Sequence, residues 1–163
     1  MESSCLAELA TIVGKGHLLA TQEDLTCYSF DATPLMGRLP RAVALPGSTE
    51  EVAAILKLAN RAGFKVVPRG AGTNLSGGSV PVQGGLMMQL TRLNRILEID
   101  TENLTALVEP GVVTADLHAT VESMDLFYPP DPGSMAVSTL GGNVAENAGG
   151  LRGLKYGVTR DYV

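Results

Sequence analysis

Apolar residues recur at a helical period near the start of the chain, at Leu6, Leu9, Ala10 and Val13, and Gly14 with Gly16 ends the pattern. Ser3 or Ser4 is placed to cap this helix. Residues 18–20 predict a short strand. Residues 21–28 predict a second short helix, with Thr21 as N-cap and Glu23 and Asp24 in the first turn, where the helix dipole favours acids. Residues 29–40 hold two prolines and a glycine and read as a loop into the main body. The continuous apolar run at 42–45 predicts a buried strand, ended by Pro46 and Gly47. Ser48, Thr49, Glu50 and Glu51 form a capping box, with Ser48 as N-cap and Glu51 three residues on. Val52, Ile55, Leu56, Ala59 and Ala62 mark one apolar helix face, Gly63 stands where a terminating glycine belongs, and residues 64–67 predict the next strand. The pattern is a strand–helix–strand unit.

That unit delivers the chain to residues 68–79, PRGAGTNLSGGS, which hold four glycines, a proline, an asparagine and two serines. Glycine tolerates positive φ and lets a backbone approach a ligand closely. Successive N–H groups in such a turn form a nest for an anion, so a phosphate or pyrophosphate is the natural guest. A flexible surface loop is the competing reading. The glycine spacing and the Lys-Ser/Thr pair of a P-loop are missing. A Rossmann fingerprint opens a helix. Here Pro81, Gly84 and Gly85 follow, which rules out the first turns of one. The loop is expected to join strand to strand and to bind through its own amides.

Residues 86–90, 95–100 and 104–109 predict three further strands, the last two joined by a turn at 100–103. Pro110 and Gly111 close the sheet. A helix from Thr114, as cap, to about Met124 would bury Leu117, Val121 and Met124. Its partners within the chain, Val137, Leu140, Val144, Tyr162 and Val163, look too few to cover that face. Prolines forbid regular structure at 127–133. Residues 138–150 are a second stretch of glycines and small residues, suited to a flat group lying against the backbone.

Composition narrows the functions. Hydrophobic residues are 45% of 163, as in a globular chain. Aromatics are 4%, tryptophan is absent and the formal charge is −5, which argues against nucleic acid as a partner. Cys5 and Cys27 have no metal-type spacing and are expected to be reduced and structural. No metal cluster is visible. His17 and His118 read as surface or helix-packing residues. No basic amino-terminal region or membrane-length apolar run occurs, so a cytoplasmic protein is expected, attached to a membrane only through a partner.

Five separated motifs then occur in one order: PRGAGTNLSGGS, LVEPGV at 107–112, YPPDPGS at 128–134, TLGGNVAENAGG at 139–150 and LKYGVTRDYV at 154–163. Together they resemble the FAD-linked oxidases of the p-cresol methylhydroxylase and vanillyl-alcohol oxidase type, nearest the glycolate oxidase D subunit and its D-lactate dehydrogenase relatives. The resemblance implies an α+β, two-lobed FAD-binding domain with FAD between the lobes. Residues 1–39 would be a helical lead-in, 40–110 the first lobe and 111–163 the start of a second lobe that is left incomplete. It implies that the amides of Gly70, Ala71, Gly72, Thr73 and Asn74 hold the pyrophosphate with help from Gly78 and Ser79, and that Arg69 makes either a phosphate contact or a link to the protein. Gly133, Ser134, Ser138, Gly141, Gly142, Asn143 and Gly149 would line the flavin and ribityl chain, and Pro110 the adenine side. Thr73 stands where several relatives carry a tethering histidine, which implies non-covalent FAD.

The implied activity is removal of two electrons, as hydride to FAD, from a small 2-hydroxy acid, then transfer to a quinone, an iron–sulfur or other electron-transfer subunit, or oxygen. No residue is a candidate substrate base, so the catalytic residues are unknown. The alternative is a non-catalytic binding or assembly module with weak or no FAD binding, prone to self-association.

Overall fold

The computed structural model describes residues 2–34 and 36–163. The fold is α+β and divides into two compact units, one ending at Arg92 and the other spanning Leu93–Val163.

In the first unit, helix α1 is Ser3–Val13, and it buries Leu9 and Val13. Neither Ser3 nor Ser4 caps it. Glu2 holds the N-cap position without a side-chain cap bond. A 3-10 turn, Lys15–His17, leads into strand β1, Leu18–Leu19. Helix α2 is Gln22–Cys27, and the Thr21 hydroxyl accepts from the Asp24 amide at 3.2 Å as expected. Both cysteines are free thiols, Cys5 partly buried and Cys27 exposed. Strand β2 is Ala42–Ala44 and helix α3 is Thr49–Ala62. Both ends of α3 are closed locally. Ser48 Oγ accepts from the Glu51 amide at 3.2 Å, and Glu51 Oε2 accepts from the Gly47 amide at 2.7 Å. Gly63 terminates the helix at φ 71°.

Strand β3 is Val66–Arg69 and β4 is Leu86–Gln89. The first begins two residues later than its apolar pattern predicts and takes in Pro68 and Arg69. Strand order is β1-β2-β4-β3, with β2, β4 and β3 parallel and β1 antiparallel to β2. Pro68 is tolerated because β3 is an edge strand, where the missing N–H withdraws no ladder bond. Both faces of the sheet are covered, which explains why β2 and β4 are apolar without alternation. Ala42, Ala44, Leu86 and Met88 pack with Leu9, Val13, Ile55 and Leu58 of α1 and α3. Val43 and Met87 face Leu25 of α2. The glycine-rich segment 70–85 is therefore a helix-free crossover between two parallel strands, anchored at both ends in this core.

In the second unit, β5 (Ile96–Asp100) and β6 (Thr105–Val108) form an antiparallel hairpin. Its turn is held by Asp100, which accepts from the Glu102 and Asn103 amides at 2.9 Å each. Helix α4 is Thr114–Glu122. Its N-cap residue is Val113, so Thr114 is inside the helix and does not cap it. The apolar face of α4 is covered: Leu117 and Val121 form a core with Val112 and Leu140, and Ile96, Ile99, Val108, Leu126 and Tyr128 pack against it. The hairpin thus packs with α4 and the start of α5, which differs from the expectation of a first lobe running to residue 110 and an under-covered helix. Met124 does not join the core and is 45% exposed. Helix α5 is Leu140–Glu146, α6 is Gly153–Tyr156, and a 3-10 turn, Thr159–Tyr162, ends the unit.

Candidate functional site

The loop after β3 offers a row of donors. Among the described residues, the amides of Gly70, Ala71, Gly72, Thr73 and Asn74 have no protein acceptor. Ala71 is exposed and the other four residues are partly buried, and partly buried amides are normally paired, so a consecutive row without a protein acceptor suits an anionic guest. Gly72 has φ +72°, and a Cβ there would overlap the Arg69 guanidinium. The position demands glycine for both reasons.

Arg69 lies beneath this loop and is buried. Its Nη1 donates to the Phe30 carbonyl at 2.6 Å, and its guanidinium carbon is 5.8 Å from the centre of the Tyr28 ring. Burial lowers its pKa, while Asp31 and Tyr28 act in the opposite sense. Of the two roles open to Arg69, the geometry presents the link to the protein. Gln89 at the end of β4 supports the loop from the other strand, its Nε2 donating to the Gly70 carbonyl at 2.9 Å.

The remaining loop residues meet a carboxylate that sequence reading missed. Asp31 is buried, and its Oδ2 accepts from Asn74 Nδ2 at 2.6 Å and from Ser79 Oγ at 3.5 Å. Ser79 Oγ lies 2.8 Å from Asn74 Oδ1. Thr33 contributes twice: its amide donates to Asp31 Oδ1 at 2.8 Å, and its hydroxyl accepts from the Gly77 amide at 2.8 Å. The Gly78 amide donates to Ser76 Oγ at 3.2 Å. Burial works against the Asp31 charge, but hydrogen bonds from Thr33, Asn74 and Ser79 outweigh it and hold the carboxyl below its usual value. Only turn residues mark the 29–40 segment in sequence, and nothing local signals that it docks on a loop more than forty residues later.

The second small-residue stretch forms its own cluster. Thr114 is fully buried, and its Oγ1 donates to the Ser138 carbonyl at 3.0 Å, lies 2.9 Å from Ser138 Oγ and accepts from Asn143 Nδ2 at 2.8 Å. Ser138 and Asn143 are themselves buried. Thr139 caps α5 by accepting from the Gly142 amide at 3.3 Å. The Gly141 amide donates to the Pro110 carbonyl at 2.8 Å, and a Cβ on Gly141 would stand 2.7 Å from Pro110 Cβ. Gly149 packs on Val158, where a Cβ would come within 2.8 Å of Cγ1, and its carbonyl accepts from the Asp131 amide at 3.0 Å. The Ser134 carbonyl accepts the Ser138 amide at 2.8 Å, and Gly133 has open space beside its Cα. Pro110, Ser138, Gly141, Gly142 and Asn143 are thus gathered at the start of α5, with Gly133, Ser134 and Gly149 on the segments flanking it.

Neither histidine joins these groups. His17 is exposed. His118 is buried, with Nε2 2.8 Å from the Pro130 carbonyl and its ring edge-on to Tyr128 at 5.5 Å. An open cleft lined by Arg38, Leu39, Pro40, Arg41, Gln83 and Gly84 holds none of the expected cofactor residues. Among the described residues, no helix is long and apolar enough to cross a membrane.

Residues 40–163 match the family described as FAD binding domain. The chain is 58% identical over 136 residues to the glycolate oxidase subunit GlcD of Bacillus subtilis (strain 168), covering 83% of this chain and 29% of that protein. It is 47% identical over 137 residues to the D-lactate dehydrogenase of Anaerostipes hadrus, again covering 83% of this chain and 29% of that protein. The chain therefore spans less than a third of either relative. The crystal structure of p-cresol methylhydroxylase with substrate bound superposes with a TM-score of 0.78 at 24% identity, covering 89% of this chain and 29% of that one, which speaks to fold. The chain belongs to the FAD binding domain family, with a fold of the p-cresol methylhydroxylase type.

Proposed function

We propose that this chain is the cofactor-holding part of a flavin-dependent oxidoreductase acting on a small 2-hydroxy acid of the glycolate or D-lactate class. The single observation that carries it is the row of amides from Gly70 to Asn74 without protein acceptors, lying inside the matched family region. When bound, FAD supplies the hydride-accepting chemistry that amino-acid side chains lack. The chain's own residues bind and orient. The five amides take the pyrophosphate, Gly78 and Ser79 close the loop around them through Ser76 and Asn74, and Arg69 supports the loop beneath. Gly133, Ser134, Ser138, Gly141, Gly142, Asn143 and Gly149 line the flavin and ribityl side, with Pro110 toward the adenine. Thr73 has no ring nitrogen, so attachment is non-covalent. No residue of this chain is assigned to proton abstraction, because His118 is spent on Pro130 and His17 has no partner in either group. Electrons pass on to an iron–sulfur or other electron-transfer subunit, in the cytoplasm or at a membrane surface reached through that subunit.

The test is titration of the chain with FAD, monitored by flavin fluorescence. Wild type should quench or shift the flavin signal, and Gly72→Val should abolish the change, since a β-branched side chain disfavours φ +72° and overlaps Arg69. Acid precipitation of the complex should leave all flavin in the supernatant. No binding by wild type would leave the non-catalytic assembly module as the reading. Bound flavin without 2-hydroxy-acid turnover would mean a cofactor domain alone.

A further inference from the structure

The segment 28–33 lies outside the matched region 40–163, yet it reaches the glycine loop at four points. The Phe30 carbonyl takes Arg69 Nη1, the Tyr28 ring flanks the same guanidinium, Asp31 takes Asn74 and Ser79, and the Thr33 hydroxyl takes the Gly77 amide. These contacts grip the loop at its beginning, middle and end. Between them, the amides of 70–74 have no protein acceptor among the described residues. A row of like donors gains nothing from holding together by itself, so something else must keep it in one conformation. The contacts from 28–33 are what the structure offers for that task.

We infer that Asp31 is a positioning residue for the anion cradle: through Asn74 and Ser79 it holds the loop in its binding conformation before any ligand arrives. The inference rests on the reading of the loop as the pyrophosphate site. Asp31 touches no ligand. It acts by fixing the Asn74 amide, so the backbone amides up to Asn74 are presented without an ordering cost at the moment of binding. Asn74 is suited to this because Nδ2 donates to Asp31 at 2.6 Å while Oδ1 accepts the Ser79 hydroxyl at 2.8 Å, which links the three side chains in series. The carboxylate at 31 accepts on both oxygens, from the Thr33 amide on Oδ1 and from Asn74 Nδ2 on Oδ2.

The experiment uses the whole chain and two readouts. Backbone ¹⁵N relaxation reports order parameters for residues 70–79, with α3 as internal control, and FAD titration reports affinity. In wild type the loop should be as ordered as α3, near 0.85, and in Asp31→Ala it should fall toward about 0.6 or below while α3 is unchanged. FAD affinity should fall about tenfold to a hundredfold, the loss expected for a hydrogen bond to a charged group. Asn74→Ala should do the same, and the double variant should be no worse than the weaker single, because one interaction is removed once. Asp31→Asn sets two donors against each other, and adding Asn74→Asp should restore loop order. Should Asp31→Ala fold poorly, Thr33→Val reads out the Gly77 contact instead. Unchanged order in Asp31→Ala, or no restoration of order when Asn74→Asp is added to Asp31→Asn, would overturn the inference, as would lost order with unchanged FAD affinity. If wild type binds no FAD, the cofactor reading fails, and the relaxation data with the Asn74→Asp rescue still decide whether Asp31 sets the loop.

Discussion

Replacing Thr114 by valine removes one hydroxyl and almost nothing else, since the two side chains share a shape. That hydroxyl is fully buried and is the common partner of the Ser138 carbonyl and the Asn143 amide. After the change, Asn143 Nδ2 is left donating to nothing inside a residue that is 3% exposed. An orphaned buried polar group costs about 1–3 kcal/mol, and the lost bond to Ser138 adds about 1 kcal/mol. The net loss is about 2–4 kcal/mol, and at roughly 2–4 °C per kcal/mol for a chain of this size the thermal midpoint should drop by roughly 4–16 °C. Three of the four tyrosines, Tyr128, Tyr156 and Tyr162, lie in the second unit, and the chain has no tryptophan. Tyrosine emission during urea unfolding therefore reports mainly on the unit that holds Thr114. Thr11→Val is the control: its hydroxyl bonds to the Ala7 carbonyl on an exposed face, and the change should cost less than about 0.5 kcal/mol. Thr114→Val with Asn143→Leu should cost less than the two singles summed, because both polar partners leave together. An unchanged urea midpoint in Thr114→Val would refute the idea that this hydroxyl joins α4 to α5.

Two shorter predictions concern the same two units. Leu117→Ala should destabilise by about 2–5 kcal/mol, as core truncations do, whereas Met124→Ala, at a position 45% exposed, should stay within about 0.5 kcal/mol in the same urea assay. Asp31, despite its burial, has its folded pKa lowered from the ordinary 3.8 by hydrogen bonds from Thr33, Asn74 and Ser79, so its contribution is fully present above that value and is lost as pH falls through the folded one. The stability gap between wild type and Asp31→Asn should therefore be constant above about pH 5 and close as acid is added below about pH 4, measured by urea midpoints across pH.

Local chemistry was legible from the residues and long-range partnership was not. Ser48, Glu51 and Gly63 announce α3 because the bonds that close each end fall within four residues of one another. The alternative faces of β2 and β4 were hidden, since a strand covered on both sides has no polar alternation to read. Thr114 looked like a cap because threonine favours that position, but its hydroxyl found Asn143, which is twenty-nine residues away and invisible to a local rule. The hairpin's strands and turn were evident in its sequence, yet nothing there says which helix receives it. Of the site, the glycine loop and the small-residue stretch were plain as unusual compositions. Asp31 and Thr33 were not, because an aspartate and a threonine among turn residues look the same whether they face water or another loop.

Pro68 has a consequence for how this chain meets copies of itself. A parallel sheet ending in β3 would present a ladder of open backbone groups along its outer margin, a template onto which any extended segment can add. Pro68 removes a donor from the middle of that margin. At the opposite margin, β1 is two residues long and too short to seed a ladder. The sheet is thus blunted on both sides, and the same proline that leads the chain into the glycine loop also guards the sheet against edge-to-edge stacking.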